Sequence, residues 1–139
     1  MPPLARLYIR TALIYLVGAL AVGAFMVLGE SIPAISRAQH LRPTYYHLLM
    51  LGWVTQLIFG VMFWMFPVLG KERPRGNEQG AKVAYYLLNL GLLLRLIFEP
   101  MQVLTQSPIA GIGLAVSAVI QVLAGWLFVA VIWERVKGK

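Results

Sequence analysis

The chain has 139 residues, 60% of them apolar and 12% charged, with a mean hydropathy of +0.76 and a formal net charge of +7. That length suits a single domain, and that composition excludes an ordinary water-soluble one. The basic balance fits loop lysines and arginines that set membrane topology and meet anionic lipid better than it fits nucleic-acid binding, and the lack of cysteine excludes disulfides, iron–sulfur clusters, thiolate zinc sites and covalent haem attachment.

The opening MPPLARLYIR is short and basic, and residues 11–29 follow without a charge until Glu30. This predicts a first membrane helix over about residues 7–29, read as a span and not as a cleaved signal because further apolar segments of similar length follow. Its small residues Gly18, Ala19, Gly23 and Ala24 would let a neighbouring helix approach closely. Residues 31–43 contain Pro33, Arg37, Pro43 and Arg42 and read as a connector at the membrane surface.

The second helix is expected over about residues 44–69, and the chain is organised around it. Its core, residues 45–67, is YYHLLMLGWVTQLIFGVMFWMFP. No formal charge interrupts it, and at ~1.5 Å per residue it is long enough to cross a ~30 Å hydrocarbon layer. The polar KERPRGNEQGAK is a loop. A third helix is expected over about 81–98, with Pro100 disturbing or ending it, and TQSP at 105–108 turns the chain into a fourth over about 109–133. That last helix carries Ala110, Gly111, Gly113, Ala115, Ser117 and Ala118, and the basic tail ERVKGK follows it. The expected fold is one all-α, four-helix transmembrane bundle.

Arg6, Arg10, Lys71, Arg73, Arg75, Lys82, Arg135, Lys137 and Lys139 all fall on one side of such a bundle, against Arg37 and Arg42 on the other. Nine against two predicts both termini on the cytoplasmic face of the cell (inner) membrane. Tyr8, Trp64, Tyr85, Tyr86 and Trp133 would then form an inner aromatic belt, and Tyr45 and Tyr46 an outer one. His47 lies near the outer face, at the depth reached by Arg95 and Glu99 of the third helix.

Polar groups at that depth have two readings each. His47 is either hydrogen-bonded to a backbone carbonyl or to Glu99, or it ligates a metal or cofactor. Arg95 and Glu99, four residues apart, either pair with each other or leave Arg95 to meet an anionic ligand such as a haem propionate. Gln56, Asn89 and Gln121 read as interhelical hydrogen-bond partners. No nucleophile–base pair, phosphate loop or paired carboxylates are present, so no catalytic residue is assigned.

The string formed by His47, Gly52, Trp53, Gly60 and Pro67 resembles the tenth transmembrane helix of the catalytic subunit of haem–copper oxidases, the C-type oxidases and nitric oxide reductases above all. In that helix a His-x-His pair precedes the glycine and tryptophan. The first histidine holds the high-spin haem and the second the low-spin haem. His47 matches the second, while Tyr45 stands where the first would be, and the histidine cluster that binds copper in those enzymes has no counterpart here. The resemblance therefore implies non-covalent haem b on His47 without copper, contacted by Tyr45, Trp53 and Arg95, with His40 as a candidate second ligand to the iron.

The function so implied is that of a membrane b-type haem protein in electron transfer or diatomic-gas binding, an electron carrier and not a complete oxidase. The alternative is an accessory or assembly protein of a respiratory complex that keeps an oxidase-like helix without haem. The oxidase subunit arranges twelve helices in three arcs of four, so three copies of this chain would reproduce that count. A homotrimer is expected, with a dimer as the alternative, embedded in the lipid bilayer and served by a redox partner or quinol.

Overall fold

The structure is a computed structural model that describes residues 1–136; Lys137 and Lys139, two of the cations used to orient the chain, lie outside the described residues. It is all-helical. Four helices, α1 (Pro3–Ser31), α2 (Pro33–Met65), α3 (Glu78–Thr105) and α4 (Pro108–Val136), are each long and apolar enough to cross a membrane. They pack as two antiparallel hairpins, α1 with α2 and α3 with α4, and α2 and α3 join the hairpins.

Every helix differs in length from its expected apolar stretch, for identifiable reasons. Hydropathy marks the part embedded in lipid, whereas a helix ends where the backbone loses its partners. Thus α1 starts at Pro3, a residue suited to the first helical turn because its missing N–H has no partner there in any case. Ahead of α3, the Asn77 side chain accepts a hydrogen bond from the Gly80 N–H at 2.8 Å and caps the helix at Glu78. Pro100 does not end α3, which continues to Thr105 and stops at Gln106 in the left-handed conformation (φ 48°). A proline inside a membrane helix costs one hydrogen bond, and neighbouring helices compensate.

The expected surface connector is in fact the beginning of α2. Pro33–Leu41 forms a 3₁₀ helix, Arg42–His47 is α-helical, Leu48–Thr55 is π-helical and Gln56–Met65 is α-helical again. The π turn has a readable cause. Thr44, Leu48, Gly52, Gln56, Gly60 and Phe63 are buried, and a repeated spacing of four would drift around a regular α-helix. The wider π turn offsets that drift and keeps these residues in one stripe. At the far end Phe66 is extended (φ −66°, ψ 151°), as the residue before Pro67 must be, so α2 stops at Met65 and not at residue 69.

The core at the end that carries the termini is aromatic. Tyr8, Phe59, Phe63, Tyr85 and Phe128 come from all four helices, and Phe59 and Phe128 stack with ring centroids 3.8 Å apart. Tyr8 and Tyr85 are therefore core residues and not members of an interfacial belt. Tyr8 is fully buried and donates its hydroxyl to the Ala81 carbonyl at 2.8 Å, and Tyr85 shares a 2.8 Å hydrogen bond with Thr11. Trp64, Tyr86 and Trp133 remain exposed, as a belt requires.

Arg135 was grouped by sequence with the topogenic cations, yet it is 1% exposed. Its guanidinium donates to the carbonyls of Phe63 (2.9 Å), Pro67 (3.0 Å) and Phe66, and it lies 5.6 Å from the Phe63 ring centroid. These are carbonyls at the C-terminal end of α2, which the break at Pro67 deprives of helical donors. One planar fork thus clasps α4 to the end of α2. Arg135→Leu is expected to cost about 2–4 kcal/mol by leaving these acceptors unpaired, with Arg135→Lys intermediate. Denaturant unfolding in detergent measures this, and a wild-type midpoint for Arg135→Leu would contradict the role.

Candidate functional site

Near the other end of the bundle, α2 and α3 meet through charged side chains. Thr44, His47 and Leu48 of α2 face Leu92, Arg95, Leu96 and Glu99 of α3. Glu99 is the centre, with only 7% of its side chain exposed. Its Oε1 accepts a hydrogen bond from Arg95 Nη1 at 3.1 Å and lies 2.7 Å from His47 Nδ1, within ion-pair distance. Arg95 Nε in turn donates to Gln121 Oε1 of α4 at 3.1 Å. Polar contacts therefore link α2, α3 and α4 in sequence.

Backbone geometry sets these positions. Arg95 and Glu99 are one turn apart on α3, so both reach the face toward α2. The close approach of α3 and α4 depends on Gly91, where a Cβ would stand 2.6 Å from Gln121 Cγ and 3.2 Å from the Ser117 carbonyl oxygen. Ser117, fully buried, donates to the Gly91 carbonyl at 2.8 Å. That packing brings Gln121 within reach of Arg95.

The tautomer of His47 follows from its neighbours. Nδ1 lies 2.9 Å from the Pro43 carbonyl oxygen as well as 2.7 Å from Glu99, and both groups accept. The proton is thus assigned to Nδ1. Nε2 has no protein partner among the described residues, and the side chain is 30% exposed. Of the hydrogen-bonding options foreseen for His47, the one to a backbone carbonyl is formed, with Pro43, while Glu99 stands within ion-pair distance.

The other residues singled out by sequence lie elsewhere around α2. Tyr45 turns toward α1, its ring against Gly23, where a Cβ would come within 3.0 Å of it. Trp53 has a buried indole N–H without a partner. His40 lines a separate groove with Arg37 and Pro100. Gln56 and Asn89 join as interhelical partners at 3.5 Å. The structure thus brings His47 and Arg95 together through Glu99, and leaves Tyr45 and His40 outside that cluster. No group of three or more His, Asp or Glu side chains placed to hold a metal ion occurs among the described residues.

The spaced motif on α2 also has a packing explanation. A Cβ at Gly52 would stand 2.7 Å from the Tyr15 ring, and one at Gly60 would stand 2.9 Å from Tyr8 Cβ. Both glycines therefore serve the α1–α2 contact, and Pro67 ends α2 and presents its carbonyl to Arg135. Trp53 and His47 are the motif residues that this packing does not use.

The buried triad makes a stability prediction. Arg95→Leu leaves the Glu99 carboxylate without its arginine and should cost about 3–5 kcal/mol, whereas the double variant Arg95→Leu/Glu99→Leu should lose clearly less than the sum of its two single changes. A double-mutant cycle on unfolding free energies measures the coupling, and strict additivity would rule it out. No protein-family profile matches this chain, and no curated protein or solved structure is significantly similar to it, so the oxidase-helix resemblance rests on the residues themselves.

Proposed function

We propose that this is a membrane b-type haem protein in which His47 Nε2 ligates the iron, lacking the binuclear copper centre and acting in electron transfer or diatomic-gas binding. The observation that carries the reading is the fixed imidazole. A histidine whose Nδ1–H is held by a backbone carbonyl, here that of Pro43 with the Glu99 carboxylate beside it, has its tautomer and ring orientation set, which is how proteins prepare Nε2 as a ligand. Arg95, with 19% of its side chain exposed, is a further polar group beside His47 and would serve a propionate.

The fit is external to the protomer. Thr44, His47, Leu92, Arg95 and Glu99 leave ≈ 0 Å³ between them for even a water-sized guest, against the roughly 300–1,000 Å³ of ligand pockets. A haem therefore belongs on the outward side of His47, covered by another copy of the chain, as a homotrimer or, alternatively, a dimer. Exposed Tyr46 and Met50, flanking His47 on α2, are available to that contact. When bound, haem supplies a one-electron iron centre with a position open to a second ligand. The chain's own part is to hold the imidazole through the Pro43 carbonyl, with Glu99 beside it, and to offset propionate charge through Arg95. The charge bias puts both termini on the cytoplasmic side of the cell membrane, and thus His47 toward the outer face.

The second reading, a haem-free accessory protein of a respiratory complex, is favoured by one observation: Gly52, Gly60 and Pro67 are all accounted for by packing. Optical spectra separate the two. Purified protein, supplemented with haem, is expected to show a Soret band that His47→Ala abolishes while helical circular dichroism is unchanged; full haem retention by that variant would sink the assignment. Native mass spectrometry in mild detergent is expected to report three chains per particle. Two chains with one haem would point to the dimer, and a haem-bearing monomer would refute both assemblies.

A further inference from the structure

The 3₁₀ segment Pro33–Leu41 is kinked at Ile35 (φ −120°, ψ 20°). Its Gln39 donates to Glu30 Oε1 at 3.2 Å and accepts from the exposed Arg42 at 3.1 Å. Ala34, Ile35, Arg37, Ala38, His40 and Leu41 form one wall of a groove closed by Phe25 of α1 and by Pro100, Val103 and Leu104 of α3.

This groove has a volume of ≈ 290 Å³, at the lower end of ligand-sized cavities. Its walls are apolar except for Arg37 and His40, and it opens sideways past Phe25 and Leu104, which are 42% and 66% exposed. A lateral opening of this kind admits a ligand from the bilayer.

Charge identifies the head of that ligand. This end of the bundle has three arginines, Arg37, Arg42 and Arg95, and two glutamates, Glu30 and Glu99. Glu99 is taken by Arg95 and His47, and Glu30 and Arg42 both bind Gln39. Arg37 and His40 have no hydrogen-bond or salt-bridge partner among the described residues. An unmatched guanidinium and an imidazole at the rim of an apolar groove complement an anion attached to a hydrocarbon chain.

We infer that this groove is a binding site for one anionic phospholipid, with the phosphodiester on Arg37 and His40 and one acyl chain running past Phe25, Pro100 and Leu104. The site is independent of haem on His47, which lines different space. Pro100 contributes by shape, because its ring replaces an N–H and leaves a smooth apolar wall.

The test uses the full chain, delipidated in mild detergent and given equal amounts of phosphatidylglycerol, phosphatidylcholine and a neutral isoprenoid quinone, with retained molecules counted by native mass spectrometry. One phosphatidylglycerol per chain should be retained, preferred about fivefold over phosphatidylcholine, the ratio equivalent to about 1 kcal/mol for one basic side chain near a lipid surface. Arg37→Gln/His40→Gln should abolish the preference. Ala34→Trp, which fills the groove and keeps both charges, should abolish retention itself. Equal retention of the two phospholipids by the wild type, a preference that survives loss of Arg37 and His40, or selective retention of the quinone would each overturn the proposal.

Discussion

A single carboxylate oxygen holds together the half of this bundle that lies away from the termini. Glu99 Oε1 lies 2.7 Å from His47 Nδ1 on α2 and accepts a hydrogen bond from Arg95 on its own helix, and Arg95 passes the connection to Gln121 on α4. In a medium of low dielectric an isolated charge is so costly that its partners cannot be optional. The triad therefore fixes the separation and rotation of α2 against α3. It also explains how a histidine and an arginine can sit deep in an apolar chain without a ligand between them.

The half that carries the termini is held by different physics. There the α2 backbone ends early at Pro67, and Arg135 supplies the donors that its last carbonyls lack. Between these polar clasps lie the aromatic cluster around Tyr8 and Phe128 and a smaller apolar one of Leu88, Leu92 and Ala124. Helices in lipid gain little from hydrophobic burial against one another, so close packing and buried hydrogen bonds must do most of the work. Gly52, Gly60 and Gly91 provide the first, and Glu99 and Arg135 anchor the second.

This division bears on function. The spaced motif on α2 is built of residues with two uses. Its glycines and proline shape contacts with α1 and α4, while His47 and Trp53 keep polar atoms that the protomer does not satisfy: Nε2 on a partly exposed ring, and a buried indole N–H. The glycines and proline thus build the helix on which His47 stands. They neither favour nor oppose a cofactor, and the reading of the site rests on the histidine and its carboxylate.

Much of this was legible in the sequence. Four apolar runs separated by charged or proline-containing segments specify four membrane helices, because the bilayer imposes one length and forbids unpaired backbone. The spacing of Arg95 and Glu99 allowed their pairing, since four residues is one helical turn, and the structure forms it. Other features were decided only by tertiary contact. Arg135 resembled a topogenic cation until the α2 carbonyls were seen beside it, and Tyr8 and Tyr85 resembled belt residues until four helices closed around them. Residues 31–43 resembled a connector because they contain two prolines and two arginines, yet proline is tolerated where a helix begins. Composition and period report what a segment prefers in isolation. Which carbonyl lacks a donor, and which carboxylate lies within reach of a histidine 52 residues away, depends on how the helices meet.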